Sequence, residues 1–407
     1  MKYLERFKNI WEQFMDFNER KIPLCAAENY TSAFVRQALS SQYEGKYIQG
    51  YLGRIIDKDN IGSDELYKLL SLTNELCEDL FGAKYADSRT LSGMNCLAIL
   101  IMSLISDDSK LIITTKEMGG HPSLAAILDR LGIAYIPMPY DFAKNQVDYD
   151  ELNLLMKETE ELRFVIFCQS DVIDPPDLSK LEIPKDVGII YDGSQTLGLI
   201  AAKLLPNPLK YGDNIILVGG THKTLPGPTC GLIMTNNEDY IKAIDYKISP
   251  TFLRNIQPNN IAGLCLALIE QQSVGLDYQA KIIENANYLG LQLQKREIKV
   301  RQIKDQIFSR THQLLLEFTP ETTDLIYKHA RERFITLNKR KGVFHTGIRL
   351  GVQEITRYSY TYEDLDMVAD LILLLSQSEP GNSAQQIIRK LQTKKTPSFV
   401  ECGIFME

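Results

Sequence analysis

Two residues at the ends of apolar runs offer the chemistry in this sequence. "VGIIYDG" delivers Asp192, and "NIILVGGTHK" delivers Lys223. Ligands of open parallel sheets bind beyond the carboxyl ends of the strands, so a carboxylate and an amine placed there are expected to face one crevice. A lysine beside glycines is ordinarily a solvated turn residue. Here "GGTHKTLPGPTCG" sets Lys223 between a glycine pair and a rigid Gly-Pro run, which suits an amine that must be held still. To act as a nucleophile the amine must lose its proton. Burial and neighbouring charge can bring a lysine from ~10.4 towards ~7 to 8.

A carboxylate and an amine held together suggest a cofactor with a basic ring nitrogen and an aldehyde. Pyridoxal phosphate has both: a lysine forms the Schiff base, and an acid keeps the pyridine nitrogen protonated so that the ring becomes an electron sink. Two further stretches agree with it. "TLSGMNCLAILIMSL" places Ser92, Gly93 and Met94 at a turn opening an apolar helix, whose N–H groups and dipole suit a phosphate. "KEMGGHPSL" presents His121 after a glycine pair, where an imidazole could stack on an aromatic ring. The rival phosphate motif GxxxxGK[ST] is absent, because His222 precedes Lys223 where glycine is required.

These residues need a scaffold, and the chain supplies a consistent one. "SKLIITT", "IAYIPMP", "RFVIFCQ", "VGIIYDG", "DNIILVGG" and "GLIMTNN" alternate with helical patterns and are apolar on both faces, which predicts a mostly parallel sheet covered by helices. "SDELYKLLSLTNELCEDLFG" predicts a helix with Leu66, Leu69, Leu70, Leu76, Cys77 and Leu80 on one face, ending at Gly82. "IAGLCLALIEQQ" and "DYQAKIIENANYLGLQLQKR" predict two further helices, "HQLLLEF" a strand, and "SQSEPGNS" a linker before a polar tail. The expected domains are 1–60, an N-terminal helix and arm; 61–250, a large α/β domain; and 251–407, a smaller α+β domain.

The bulk properties restrict the partners. With 45 Lys+Arg against 52 Asp+Glu the net charge is -7, which gives no basic footprint for nucleic acid. The seven cysteines stand singly, without CxxC pairs or histidine clusters, so no metal site is expected and reduced thiols in the cytoplasm are. No apolar run approaches the ~18 residues a membrane span needs, and no export signal is expected.

The ordered set "AAENYTS", "KYIQGYLG", "LFGAKYA", "LSGMN", "GGHPSL", "YDGSQTLGLIAA", "THKTLPGP", "ITLNK" and "TGIRLGVQEITR" resembles the serine hydroxymethyltransferase family of fold-type I pyridoxal-phosphate enzymes. The resemblance implies that Lys223 is the Schiff-base lysine, Asp192 the pyridinium partner and His121 the stacking histidine. It places phosphate on Ser92, Gly93 and Met94, the cofactor against Ser170 and Gln195, and His222 beside the reacting centre. Arg349 matches the arginine that binds the substrate carboxylate, a task suited to a bidentate guanidinium. Tyr47 matches a tyrosine contributed across a subunit interface, which implies a homodimer with a shared active site. The family's phosphate-binding glycines from the partner should fall in "SPTFLRNIQPNN", which has no glycine pair.

The departures from the family touch the reaction rather than the cofactor. Gln49 replaces the acid/base glutamate of the folate-dependent step, and an amide cannot shuttle a proton at neutral pH. Asp57 stands at or beside the place of a second active-site tyrosine, Gln195 where histidine is usual, Ala27 where serine is usual, Gly220 where threonine is usual, and Thr229 where arginine is usual. This pattern is similar to the folate-independent threonine transaldolase and aldolase offshoots. The expected activity is aldol or retro-aldol chemistry at the Cα–Cβ bond of a β-hydroxy amino acid, with an aldehyde as co-substrate in the transaldolase case. The alternatives are tetrahydrofolate-dependent serine/glycine interconversion, another Cα reaction (racemisation, decarboxylation or oxidative deamination), and a non-catalytic scaffold, against which intact Lys223, Asp192 and Arg349 argue.

Overall fold

The computed structural model describes residues 1–48, 61–106 and 108–401. The chain forms two compact units, 29–280 with 399–407 and 1–28 with 281–398.

The unit 29–280 is built on seven strands. In chain order they are β1 (Tyr85–Asp87), β2 (Lys110–Ile113), β3 (Tyr135–Pro137), β4 (Leu162–Phe167), β5 (Gly188–Asp192), β6 (Ile215–His222) and β7 (Pro226–Thr235). Their order across the sheet is β1-β7-β6-β5-β4-β2-β3. Only β7 runs against the others. Ile189, Ile190, Ile215, Ile216, Leu217 and Val218 are fully buried, so both faces of the central strands are covered and the runs are apolar without alternation. Cys96, Leu97 and Leu100 of the helix Gly93–Leu104 join Ile190, Ile216 and Val218 in one core. Burying each such side chain contributes about 1.5–3 kcal/mol. Parallel order sends the carboxyl ends of β1, β2, β4, β5 and β6 to the same edge.

The predicted helix is Ser63–Phe81, stopped by Gly82 at φ 64°. Its buried stripe is Tyr67, Leu70, Thr73, Leu76, Cys77 and Phe81, a slight rotation from the predicted face, with Leu66, Leu69 and Leu80 half-buried at its border. The two segments read separately after 258 form one helix, Pro258–Lys295. Gly275 lies inside it, and a mid-helix glycine costs only about 1 kcal/mol, which the flanking apolar residues outweigh.

In the other unit, Ile22–Pro23 pairs in parallel with Ile335–Thr336, which joins the N-terminal segment to the C-terminal one. Gly347–Gly351 runs antiparallel between Gln313–Glu317 and Asn338–Arg340. The polar tail is ordered as a helix, Gly381–Gln392, because Ala384, Ile388 and Leu391 share one face and are buried. The helix Lys2–Arg20 buries none of its residues. Among the described residues no helix is long and apolar enough to cross a membrane, and no cluster of three His, Cys, Asp or Glu could hold a metal.

The segment leading from β1 to Ser92 is fixed by a buried ion cluster. Arg89 donates from Nη2 to Asp87 at 2.5 Å and to Asp245 at 2.8 Å, and its Nε reaches Asp87 Oδ1 at 3.0 Å. Removing one partner leaves charge buried without compensation. Arg89→Met is expected to lose about 3–5 kcal/mol, read as a lower urea midpoint followed by circular dichroism.

Candidate active site

The strand ends of the unit 29–280 gather most of the candidate residues. Asp192 is the last residue of β5 and half-buried. Its Oδ1 accepts from the Ser194 N–H at 2.8 Å and its Oδ2 from the Cys168 thiol at 3.3 Å. Two residues from Asp192, the Ser194 hydroxyl accepts from Gly220 N at 2.8 Å, tying the turn after β5 to β6.

Lys223 follows β6 directly, and its main chain is pinned on both sides. Its carbonyl accepts from Asn29 Nδ2 at 2.5 Å, and Tyr278 accepts from the same amide at 2.8 Å. On the next residue, Thr224 Oγ1 donates to the Gln195 carbonyl at 3.0 Å, and the Thr224 carbonyl accepts from Gln279 at 2.7 Å. Before it, Thr221 Oγ1 donates to the Pro228 carbonyl at 2.6 Å. The rigidity read from the Gly-Pro flanks is therefore completed by hydrogen bonds from distant segments. Asn29, Tyr278 and Gln279 carry no local signal of this role, since nothing in their own stretches points to a lysine far along the chain.

His222 ends β6. Its Nδ1 is buried with no hydrogen-bond partner, and burial, reinforced by the Lys223 charge, pushes the imidazole down to about 4. It is therefore a neutral ring beside the lysine at ordinary pH. His121 caps the helix Pro122–Leu131 by accepting from Ser123 N at 3.3 Å, and its own N–H donates to the Cys168 carbonyl at 2.8 Å. The turn before it needs glycine, because a Cβ at Gly120 would stand 2.5 Å from the Thr115 carbonyl oxygen. Ser170 N donates to the Gly119 carbonyl at 2.8 Å, which places the loops after β2 and β4 side by side. Gln195 is buried.

Ser92 caps the helix Gly93–Leu104 by accepting from Asn95 N at 3.2 Å. Gly93 opens that helix against β6: a Cβ there would lie 2.7 Å from Ser194 Oγ and 2.9 Å from Gly220 N. The Met94 side chain packs against the apolar core, so only its main chain is offered to a phosphate. Tyr47 belongs to this unit and is exposed, and Gln49 and Asp57 lie outside the described residues. Arg349 belongs to the other unit, in the strand Gly347–Gly351, where its Nε and Nη2 donate to Asn338 Oδ1 at 3.1 and 2.8 Å.

The donor set of the first unit fits pyridoxal phosphate. A carboxylate and a lysine lie on adjacent strands, a buried imidazole nitrogen is unpartnered, and a glycine-lined cradle stands at a helix N-terminus with its first N–H groups available to phosphate. Asp192 would meet the ring nitrogen, Lys223 the aldehyde, and Ser92 with Gly93 the phosphate.

A family model described as serine hydroxymethyltransferase matches residues 3–372. The serine hydroxymethyltransferase of Methanocella arvoryzae is 29% identical over 398 residues, spanning 93% of this chain and 91% of that protein. That of Thermoplasma volcanium is 30% identical over 383 residues, 90% of this chain and 88% of that protein. Among solved structures, an L-threonine transaldolase from Pseudomonas fluorescens matches with a TM-score of 0.90 at 24% identity, over 98% of this chain and 94% of that one, and so has the same fold.

Two outcomes follow from the geometry. Gly93→Ala puts a methyl into the cradle against the Gly220 main chain and is expected to weaken pyridoxal-phosphate binding by at least tenfold, read by absorbance titration of the apoprotein. In the apoprotein the His222 imidazole is expected to titrate near 4 by NMR, remaining neutral from pH 5 upward, whereas an ordinary histidine titrates near 6.5.

Proposed function

The chain belongs to the serine hydroxymethyltransferase family, and we propose that it makes or breaks the Cα–Cβ bond of a small β-hydroxy α-amino acid without folate. It is a pyridoxal-phosphate-dependent enzyme. When bound, the cofactor supplies an electron sink for negative charge at Cα.

The chain's own residues divide the remaining tasks. Lys223 is the amine that would hold the cofactor at its aldehyde. Arg349 binds the substrate carboxylate through its guanidinium, whose orientation Asn338 fixes by accepting from Nε and Nη2. His222 takes the proton from the β-hydroxyl as the Cα–Cβ bond breaks and returns it in the reverse direction. The reading rests on this imidazole: it is buried beside the lysine, and its Nδ1 has no hydrogen-bond partner and so a lone pair open to a proton. Glutamine at position 49 supports independence from folate, since an amide gives no acid/base relay. The names of the relatives favour a second reading, serine/glycine interconversion with tetrahydrofolate.

We further propose a homodimer in the cytoplasm. Leu4, Phe7, Trp11 and Phe14 form an apolar stripe at helical spacing on Lys2–Arg20, and each is more than half exposed in the single chain. The described cysteines are free thiols, as a reducing compartment would keep them.

Threonine supplied to the holoenzyme is expected to give glycine and acetaldehyde without tetrahydrofolate, and a second aldehyde is expected to be captured into a new β-hydroxy amino acid, both read by mass spectrometry. His222→Ala should lower that turnover about 10²-fold, and Lys223→Ala should end covalent retention of the cofactor after borohydride reduction. A serine-to-glycine conversion that requires tetrahydrofolate would instead establish the second reading. In light scattering the wild-type chain of 46.3 kDa is expected at twice that mass, and the double variant Phe7→Asp, Trp11→Asp at the single mass.

A further inference from the structure

Cys168 stands one residue beyond β4, next to β5 in parallel register. Phe167 faces Tyr191 in that register, which brings Cys168 opposite Asp192. Its side chain is fully buried and its Sγ lies 3.3 Å from Asp192 Oδ2. Its carbonyl oxygen accepts from the His121 N–H at 2.8 Å. One residue thus touches both the acid that would meet the cofactor's ring nitrogen and the histidine that would stack on the ring. A buried cysteine is ordinarily a small apolar filler. This one has a carboxylate as its acceptor, whereas buried Cys96 and Cys230 find a hydroxyl and main-chain carbonyls.

We propose that Cys168 is a positioning residue for Asp192: its S–H on Oδ2, with the Ser194 N–H on Oδ1, fixes the plane in which the carboxylate meets the ring nitrogen. The inference rests on the reading that Asp192 pairs with that nitrogen. A carboxylate oxygen has more than one acceptor direction, so the thiol occupies one on Oδ2 and leaves another open to the crevice. Burial and the Asp192 charge hold the thiol well above its ordinary range, so the sulfur keeps its proton and remains a donor at neutral pH. A thiol is a weaker donor than a hydroxyl, so it orients the carboxylate while withdrawing less of its charge from the ring nitrogen.

Three variants test this in the full-length protein, with circular dichroism confirming the fold. Cys168→Val keeps a small apolar side chain and removes the donor, Cys168→Ser keeps a donor, and Asp192→Asn removes the acceptor charge. Infrared difference spectra of the apoprotein are expected to show a wild-type S–H stretch at lower frequency than that of the carbonyl-bonded thiols, lost in both Cys168 variants. With ¹⁵N-labelled cofactor, Cys168→Val is expected to move the ring-nitrogen resonance toward the unprotonated value and to weaken cofactor retention about fivefold, while Cys168→Ser stays near wild type. A ring-nitrogen resonance unchanged in Cys168→Val but displaced in Asp192→Asn overturns the role of the thiol. A resonance unchanged in Asp192→Asn as well overturns the pairing of Asp192 with the ring.

Discussion

A parallel sheet covered on both faces can offer polar groups only where its strands stop. Every other consequence in the unit 29–280 depends on that constraint. Because Ile189, Ile190, Ile216 and Val218 are fully buried, the strand interiors admit no chemistry, and Asp192, His222 and Lys223 come at the ends. Adjacent parallel strands then set the spacing between the acid and the lysine without any dedicated contact between them. The loops after β1, β2 and β4 bring Ser92, His121 and Cys168 to the same edge for the same topological reason.

The site combines tightly held main chain with lightly held side-chain atoms. Thr221, Thr224, Gln279 and Asn29 bond the backbone around Lys223, while His222 Nδ1 is left without a partner. An unpaired buried polar atom is costly in a folded protein, and such costs are tolerated where the atom has a ligand or proton to receive. Arg349 is treated differently: Asn338 accepts from its Nε and Nη2 and so fixes the plane of its guanidinium.

The features legible in the sequence were those with a local physical signature. Apolar runs ending in Asp192 and Lys223 mark the strands and their ends, the Ser92-Gly93 turn marks the start of an apolar helix, and Gly82 the stop of the helix before it. What escaped was set by contacts between distant segments. Asn29 is an unremarkable residue until its amide is seen on the Lys223 carbonyl, and Cys168 reads as one apolar residue of "RFVIFCQ" until its sulfur is seen on Asp192. "IAGLCLALIEQQ" and "DYQAKIIENANYLGLQLQKR" read as two helices, and the structure joins them in Pro258–Lys295: burial of residues on both sides carries the helix across the short stretch between them, which includes Gly275. The helix Gly381–Gln392 was read as tail because three buried residues, Ala384, Ile388 and Leu391, are few to announce an element.

The pinning of the lysine also bears on the order in which the chain takes shape. The amide of Asn29 reaches the Lys223 carbonyl across 194 residues, and Gln279 reaches Thr224 across 55. Contacts of such sequence separation close large loops, and the entropy of closing them is met only after the local elements exist. The turn that presents the amine therefore depends for its rigidity on long-range contacts, and a change that loosens either distant segment reaches the amine without touching its own stretch of sequence.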